Sequence, residues 1–197
     1  MFHRDQTVLA LAAAIAAVCL GSPPAAAQAP AQPAKPPAAA KPPVVRAAAP
    51  APTLLGQFGN WGAYTASPGG KKVCFTSAKP ASSKTTPPSR PRDPAYMFIS
   101  TRPAEKVRDE VSIVFGYRFK PNADARVEVS GAAYAMYTKA DGAWVKNTAE
   151  ETRLVNAMRK SADLTVKGIS AKGTATVNVY WLRGLPEALN RVGQECK

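Results

Sequence analysis

Histidine is almost absent from this chain of 197 residues, its one occurrence being His3. Because His3 lies in an amino-terminal segment that we expect to be cleaved, the mature protein would contain no imidazole. Catalytic triads, proton relays and metal sites that depend on histidine are therefore excluded. Acidic residues are also few, with 13 Asp and Glu against 26 Lys and Arg, and the net charge is +13.

The motifs of common enzymes are missing as well. The chain has no G-x-S-x-G or S-x-x-K nucleophile motif and no glycine-rich phosphate-binding loop. Two acidic pairs, Asp109 with Glu110 and Glu150 with Glu151, are the remaining candidates for acid and base catalysis. The second pair begins a predicted helix and the first precedes a strong strand, which explains both without catalysis. We expect no enzymatic activity, no catalytic residue, no cofactor and no bound metal.

The first 27 residues have the pattern of a secretory signal peptide. A positive charge, an apolar run at residues 7–20 and three alanines before Gln28 form its three regions. A membrane anchor is the alternative, but the run is shorter than the roughly 20 residues that cross a bilayer. Lipidation of Cys19 is another alternative, which Val18 disfavours. We expect an exported protein without a transmembrane span, located in the periplasm, associated with the outer membrane or secreted.

Residues 28–53 consist almost wholly of alanine, proline, lysine and valine, and ten of the 19 prolines precede residue 53. This composition predicts a disordered segment that samples the polyproline II conformation. We interpret it as a spacer, and a binding segment is the alternative. The folded domain is then predicted to comprise residues 54–197.

From residue 54 onward, short runs of alternating apolar and polar residues are separated by turn residues. The clearest run is 111–119, where every second residue is apolar. Such a period of two predicts half-buried strands. The number of strands in one domain favours a mainly β, immunoglobulin-like β-sandwich with two short helices. The eight predicted strands are residues 58–64, 73–77, 96–100, 111–119, 126–130, 134–138, 164–169 and 176–182.

The first helix is predicted from Thr148 to about residue 161. Thr148 and Glu151 have the spacing of a capping box, and Leu154 and Met158 follow at helical spacing. The hydrophobic face of this helix is expected to pack on the sheet.

The second helix is predicted to begin near Pro186 and to place Cys196 on its apolar stripe with Leu185, Leu189 and Val192. Cys74, in the predicted strand 73–77, is the only other cysteine of the mature chain. Because an exported protein folds in an oxidising compartment, we predict a disulfide between Cys74 and Cys196. Two buried free thiols are the alternative.

A run of basic residues that no acid interrupts precedes Asp93, and the prolines within it predict a long, exposed cationic loop. The functional interpretation is attraction to an anionic polymer of the envelope or host, and the alternative is a solvated loop. Residues 117–120 interleave aromatic and basic residues, as nucleic-acid platforms do. A half-buried strand explains them equally, so we expect no nucleic-acid partner. The six candidate binding residues are Lys71, Lys72, Lys79, Lys84, Arg90 and Arg92.

Several short motifs are spread over the folded part of the chain. They are FGNW at 58–61, KVC at 72–74, ISTRP at 99–103, AMRK at 157–160, GISAKGT at 168–174 and LRG at 182–184. In this order they resemble the invasion-associated locus B family of bacterial envelope proteins. The resemblance implies an immunoglobulin-like β-sandwich, a periplasmic or surface location and a role in host-cell invasion or envelope biology. It implies no catalytic residues.

The sequence features predict a non-enzymatic exported protein, and the resemblance implies that it acts in host-cell invasion or envelope interaction by binding a partner. The alternative is a structural periplasmic protein that its proline-rich segment positions against the cell wall or outer membrane.

The position of the cleavage signal predicts that Gln28 is the first residue of the mature protein. Cleavage after three small alanines removes residues 1–27 during export. Intact-mass spectrometry of the exported protein measures this directly. A measured mass that includes residues 1–27 would contradict the prediction.

Overall fold

The computed structural model describes residues 51–197, which contain eleven β-strands and two α-helices. The predicted leader and nearly all of the proline-rich segment lie outside the described residues. The elements are β1 Thr53–Phe58, β2 Trp61–Ala66, β3 Val73–Ala78, β4 Ser82–Thr86, β5 Tyr96–Arg102, β6 Val107–Val114, β7 Ala125–Val129, β8 Ala132–Lys139, β9 Gly142–Val145, α1 Thr148–Met158, β10 Asp163–Ile169, β11 Ala175–Trp181 and α2 Leu185–Glu195.

The strands form one antiparallel sheet in the order β1-β2-β3-β5-β6-β9-β8-β7-β10-β11-β4. β3 and β4 are consecutive in the chain but eight strand spacings apart in this order, which in a flat sheet is roughly 38 Å. Only Lys79, Pro80 and Ala81 join them, and four Cα–Cα steps span at most about 15 Å. The sheet therefore curves back on itself and encloses the core.

The core is built from the inward positions of the curved sheet. Met97 and Ile99 of β5 and Ile113 of β6 are completely buried, as the alternation of the sequence predicts. Trp61 of β2 is also completely buried, and its indole Nε1 donates a hydrogen bond of 2.9 Å to the carbonyl oxygen of Trp181 in β11. Strands near opposite ends of the sheet order thus meet across the core.

The predicted class, a mainly β, sandwich-like fold with two helices, is confirmed. Six of the eight predicted strands agree with the structure to within two residues at each end, and the other two differ more. The run 58–64 is divided into β1 and β2 by a turn at Gly59, whose φ is 55°. The strand predicted over 111–119 ends at Val114, because the chain turns at Gly116 with a φ of 75°. In both cases a glycine adopts a backbone conformation that other residues avoid, and the alternation of neighbouring side chains does not reveal it.

The capping box predicted for α1 is wrong. Asn147 is the N-cap, and its side-chain oxygen accepts a hydrogen bond of 2.9 Å from the backbone N–H of Glu150. Glu151 extends instead to β6, where its carboxylate accepts a hydrogen bond of 2.7 Å from the backbone N–H of Val111. Within residues 51–197 no helix is long and apolar enough to cross a membrane, since α1 and α2 have 11 residues each.

The predicted disulfide is confirmed. Cys74 of β3 and Cys196, directly after α2, are bonded with a Cα–Cα distance of 5.9 Å. Both residues are buried, and Val192 of α2 packs in the same cluster. The bond therefore fastens the carboxy-terminal helix to the sheet.

Replacement of both cysteines by alanine tests this role. The bond joins residues 122 positions apart, and a loop of that size is expected to stabilise the fold by about 2–5 kcal/mol. In urea titrations, Cys74→Ala/Cys196→Ala should lose that free energy of unfolding. A reductant should destabilise the wild type and leave the double variant unchanged. Quantitative alkylation of both thiols in unfolded, non-reduced protein would contradict the assignment.

Candidate functional site

The six predicted binding residues lie in three places instead of one long loop, because β3 and β4 interrupt the segment. Lys71 and Lys72 precede β3 at the end of α2, where the Lys72 ammonium lies 2.8 Å from the Glu195 carboxylate. Lys79 lies over the ring of Tyr96, 5.5 Å from its centre. The other three residues, Lys84, Arg90 and Arg92, lie in β4 and the segment that follows it.

A cavity of about 650 Å³ lies beside β4. It is bounded by the segment after β4 and by the turn that joins β10 to β11. All of the lining residues belong to the described part of the chain. Four of them are cationic and none is acidic. The cations are Arg90, Arg92, Arg118 and Lys172. We name this cavity, with these four cations, the cationic pocket.

Arg118 and Lys172 come together because of the turn at Gly116. Beyond this turn the chain runs beside the β10–β11 turn, where the backbone N–H of Ala171 donates a hydrogen bond of 2.8 Å to the carbonyl oxygen of Arg118. Phe119 forms a bridge with Ser170 at the same place. Exposed side chains from two distant parts of the sequence thus line one cavity.

Arg92 is the half-buried cation of the cationic pocket. Its Nη1 donates a hydrogen bond of 2.8 Å to the carbonyl oxygen of Phe115. Its Nη2 donates hydrogen bonds of 2.8 Å to Ser83 Oγ and of 2.6 Å to Asn178 Oδ1. All three acceptors are neutral, so no carboxylate compensates the guanidinium charge. Arg90, Arg118 and Lys172 are likewise in none of the ion pairs of residues 51–197.

Tyr117 supplies an aromatic wall. Its ring centre lies 5.6 Å from that of Phe115 and 5.2 Å from that of Phe119, and its hydroxyl is 2.7 Å from Thr176 Oγ1. A Cβ on Gly168 of β10 would lie 2.8 Å from the Tyr117 hydroxyl, so this glycine leaves room for the rings. Burial raises the pKa of Tyr117, partly opposed by the hydrogen bond with Thr176 and the charge of Arg92. Tyr117 is therefore a neutral phenol at neutral pH.

Two of the four acidic residues considered for catalysis, Glu110 and Glu151, have structural partners. Arg102 forms two hydrogen bonds of 2.9 Å with the Glu110 carboxylate. Burial raises the pKa of Glu151, the hydrogen bond from Val111 opposes this, and the negative charges of Glu110 and Asp109 raise it further. Glu151 thus joins α1 to β6. The absence of catalysis remains a prediction.

Arg118 and Lys172 are the functional candidates that the sequence did not identify. The alternation of residues 111–119 predicts a half-buried strand that contains Arg118, and Lys172 stands out only as part of the motif at 168–174. The glycine at position 116 was the available signal, since a glycine inside an alternating run indicates a bend. No local pattern shows that the two residues share a cavity, because that follows from the pairing of Phe119 with Ser170.

Comparison with known proteins gives one family. The family model described as invasion associated locus B (IalB) protein matches residues 61–193. This range includes every residue that lines the cationic pocket and most of the folded region. No curated protein and no solved structure matches the chain.

Two substitutions of Glu151 test its role at the α1–β6 contact. Glu151→Ala leaves the Val111 N–H without an acceptor and should lower the free energy of unfolding by about 1–2 kcal/mol. Glu151→Gln keeps an acceptor and removes the charge. Folding raises the pKa of Glu151. The stabilising contribution of the wild-type carboxyl is therefore complete below its pKa in the unfolded state, and it is lost as the pH rises through its pKa in the folded state.

The free energy of unfolding of Glu151→Gln, relative to that of the wild type, should therefore increase between about pH 4 and about pH 7. Urea titrations at several pH values give this difference. A difference that does not change with pH, or that decreases, would show that the carboxyl does not have the raised pKa.

Proposed function

The chain belongs to the invasion-associated locus B family, and on this basis we propose that it is an exported envelope protein whose domain binds an anionic partner at the cationic pocket. Family membership supports an envelope protein. The predicted leader and the Cys74–Cys196 bond support export into an oxidising compartment. The partner is an anionic polymer of the bacterial envelope or of a host surface, and binding it is the step that serves host-cell invasion or envelope interaction.

The observation that carries this proposal is the uncompensated charge of the cationic pocket. Elsewhere in residues 51–197 several cations have carboxylate partners, among them Lys72, Arg102, Lys167 and Arg191. Four cations with no acid among the residues that line the pocket produce a local positive potential. Such a potential attracts anions and increases the rate at which they associate.

Binding at this pocket separates the proposal from the alternative of a structural protein held in place by its proline-rich segment. A structural spacer needs no affinity for anions, so its attachment would depend on residues 28–53 and would not depend on the pocket cations. The test is therefore made on the domain surface, with the segment intact.

The test replaces Arg90, Arg118 and Lys172 together by glutamine. Arg92 is left in place because its three hydrogen bonds hold the cavity wall. The variant should bind immobilised lipopolysaccharide or heparin about tenfold more weakly or worse, and the affinity of the wild type should fall steeply with salt. The free energy of unfolding should change by only about 1 kcal/mol or less, since the three residues are exposed.

A matched control replaces three exposed cations outside the pocket, Lys139, Arg153 and Lys160, by glutamine. It removes the same net charge and should retain most of the binding. Surface plasmon resonance at several salt concentrations compares the two variants. Equal losses would show that net charge alone attracts the polymer, and no loss in the pocket variant would show that the pocket is an ordinary solvated surface.

A further inference from the structure

The polar atoms that line the cationic pocket are mainly hydrogen-bond donors. Guanidinium and ammonium groups donate and do not accept. Thr85 Oγ1 accepts from the backbone N–H of Arg90 at 3.3 Å, and Ser170 Oγ accepts from the backbone N–H of Thr174 at 3.1 Å. Neither hydroxyl hydrogen has an acceptor among the hydrogen bonds of residues 51–197, so both are free to donate. The complementary ligand group is a compact oxyanion with several acceptor oxygens.

The size and walls of the cavity indicate that this oxyanion is attached to a ring. A volume of about 650 Å³ lies in the range of small-molecule sites, about 300–1,000 Å³, and an oxyanion alone fills only part of it. Pro87, Pro91 and the ring of Tyr117 supply apolar walls. The C–H face of a sugar ring packs against such surfaces, while the anionic substituent reaches the guanidinium groups.

We propose that the cationic pocket binds the phosphorylated end of a sugar, an inference that rests on the proposed function of this pocket. Two exposed guanidinium groups, Arg90 and Arg118, match the paired oxygens of a phosphate, and Lys172 adds a third charge. A phosphate monoester carries a charge of about −1.5 to −2 at pH 7, whereas a sulfate ester or a carboxylate carries only one negative charge. Four uncompensated cations therefore favour the phosphate monoester.

The charge of the ligand gives a pH signature. With a second pKa of about 6, the dianionic fraction of a phosphate monoester falls about fourfold between about pH 7.5 and about pH 5.5. The affinity for the phosphate ester should fall by that factor, and the affinity for the sulfate ester should not change. This difference distinguishes recognition of the phosphate from simple attraction of anions.

The experiment is isothermal titration calorimetry of the mature protein with glucose 6-phosphate, glucose 6-sulfate and glucose. We expect binding of the phosphate ester, at least about tenfold weaker binding of the sulfate ester and no binding of glucose. Arg90→Gln/Arg118→Gln should abolish binding of glucose 6-phosphate, and the matched control Lys139→Gln/Arg153→Gln should preserve it. Equal affinity for the two esters, or unchanged binding in the pocket variant, would overturn the proposal.

Two sources share this chemistry, a soluble sugar phosphate and the phosphorylated sugar headgroup of a glycolipid. Sedimentation with phosphatidylcholine vesicles that contain lipid A, compared with vesicles that contain dephosphorylated lipid A, tests the second source. Capture by the phosphorylated vesicles alone supports the proposal with a lipid ligand, and binding of glucose 6-phosphate alone supports it with a soluble one. If the protein binds neither glucose 6-phosphate nor the phosphorylated vesicles, the proposal is overturned.

Failure of this inference is distinguishable from failure of the proposed function. If neither phosphate ligand binds but the pocket variant still binds heparin or lipopolysaccharide more weakly than the wild type, the proposed function stands and the inference of a phosphorylated sugar is wrong. If the pocket variant also keeps its binding of those polymers, both are wrong.

Discussion

The connection of three residues between β3 and β4 is the constraint on which the rest of the structure depends. Lys79, Pro80 and Ala81 must join the third strand of the sheet order to the last one, so the sheet has to curve. The backbone N–H of Ala81 donates a hydrogen bond of 2.7 Å to the carbonyl oxygen of Val179, which begins the alignment of β4 on β11. The curved sheet encloses the core, and the same closure places the segment after β4 beside the β10–β11 turn.

The proposed function depends on the same closure, because the cationic pocket exists only where these two segments meet. Ser83 of β4 and Asn178 of β11 both accept hydrogen bonds from Arg92, so the strand pairing fixes the cavity wall. The carboxylates that take part in ion pairs within residues 51–197 lie outside the pocket lining, for example Glu195 with Lys72 and Glu128 with Lys167. The positive charge at the pocket therefore remains available to a ligand. Family membership and this charge lead to the same proposal by separate routes.

Local patterns predicted the parts of the fold that depend on local chemistry. The alternation around Ile113 predicted a buried strand face, and the apolar stripe of α2 placed Cys196 toward Cys74, as the structure confirms. The family resemblance is confirmed by the match over residues 61–193. β4 was missed because its sequence, SSKTT, is polar on both faces, as an exposed edge strand allows. Its existence depends on pairing with β11, which no local pattern encodes.

The candidate site was predicted only in part for the same reason. Arg90 and Arg92 belong to a visible basic run, whereas Arg118 and Lys172 join them through the bend at Gly116 and a contact between distant segments. Lys72 belongs to the same run but is paired with Glu195, because α2 ends beside the start of β3. Composition shows how much charge a chain carries, and the fold decides which charges remain uncompensated.

The central claim is that the ligand occupies the cationic pocket, and the most direct measurement is a titration with glucose 6-phosphate followed by two-dimensional ¹⁵N NMR of the mature protein. The predicted result is a set of saturable shifts confined to the backbone amides around Arg90, Tyr117, Arg118 and Lys172. Shifts centred on Lys71 and Lys72 at the end of α2, or no saturable shift at the pocket, would contradict it.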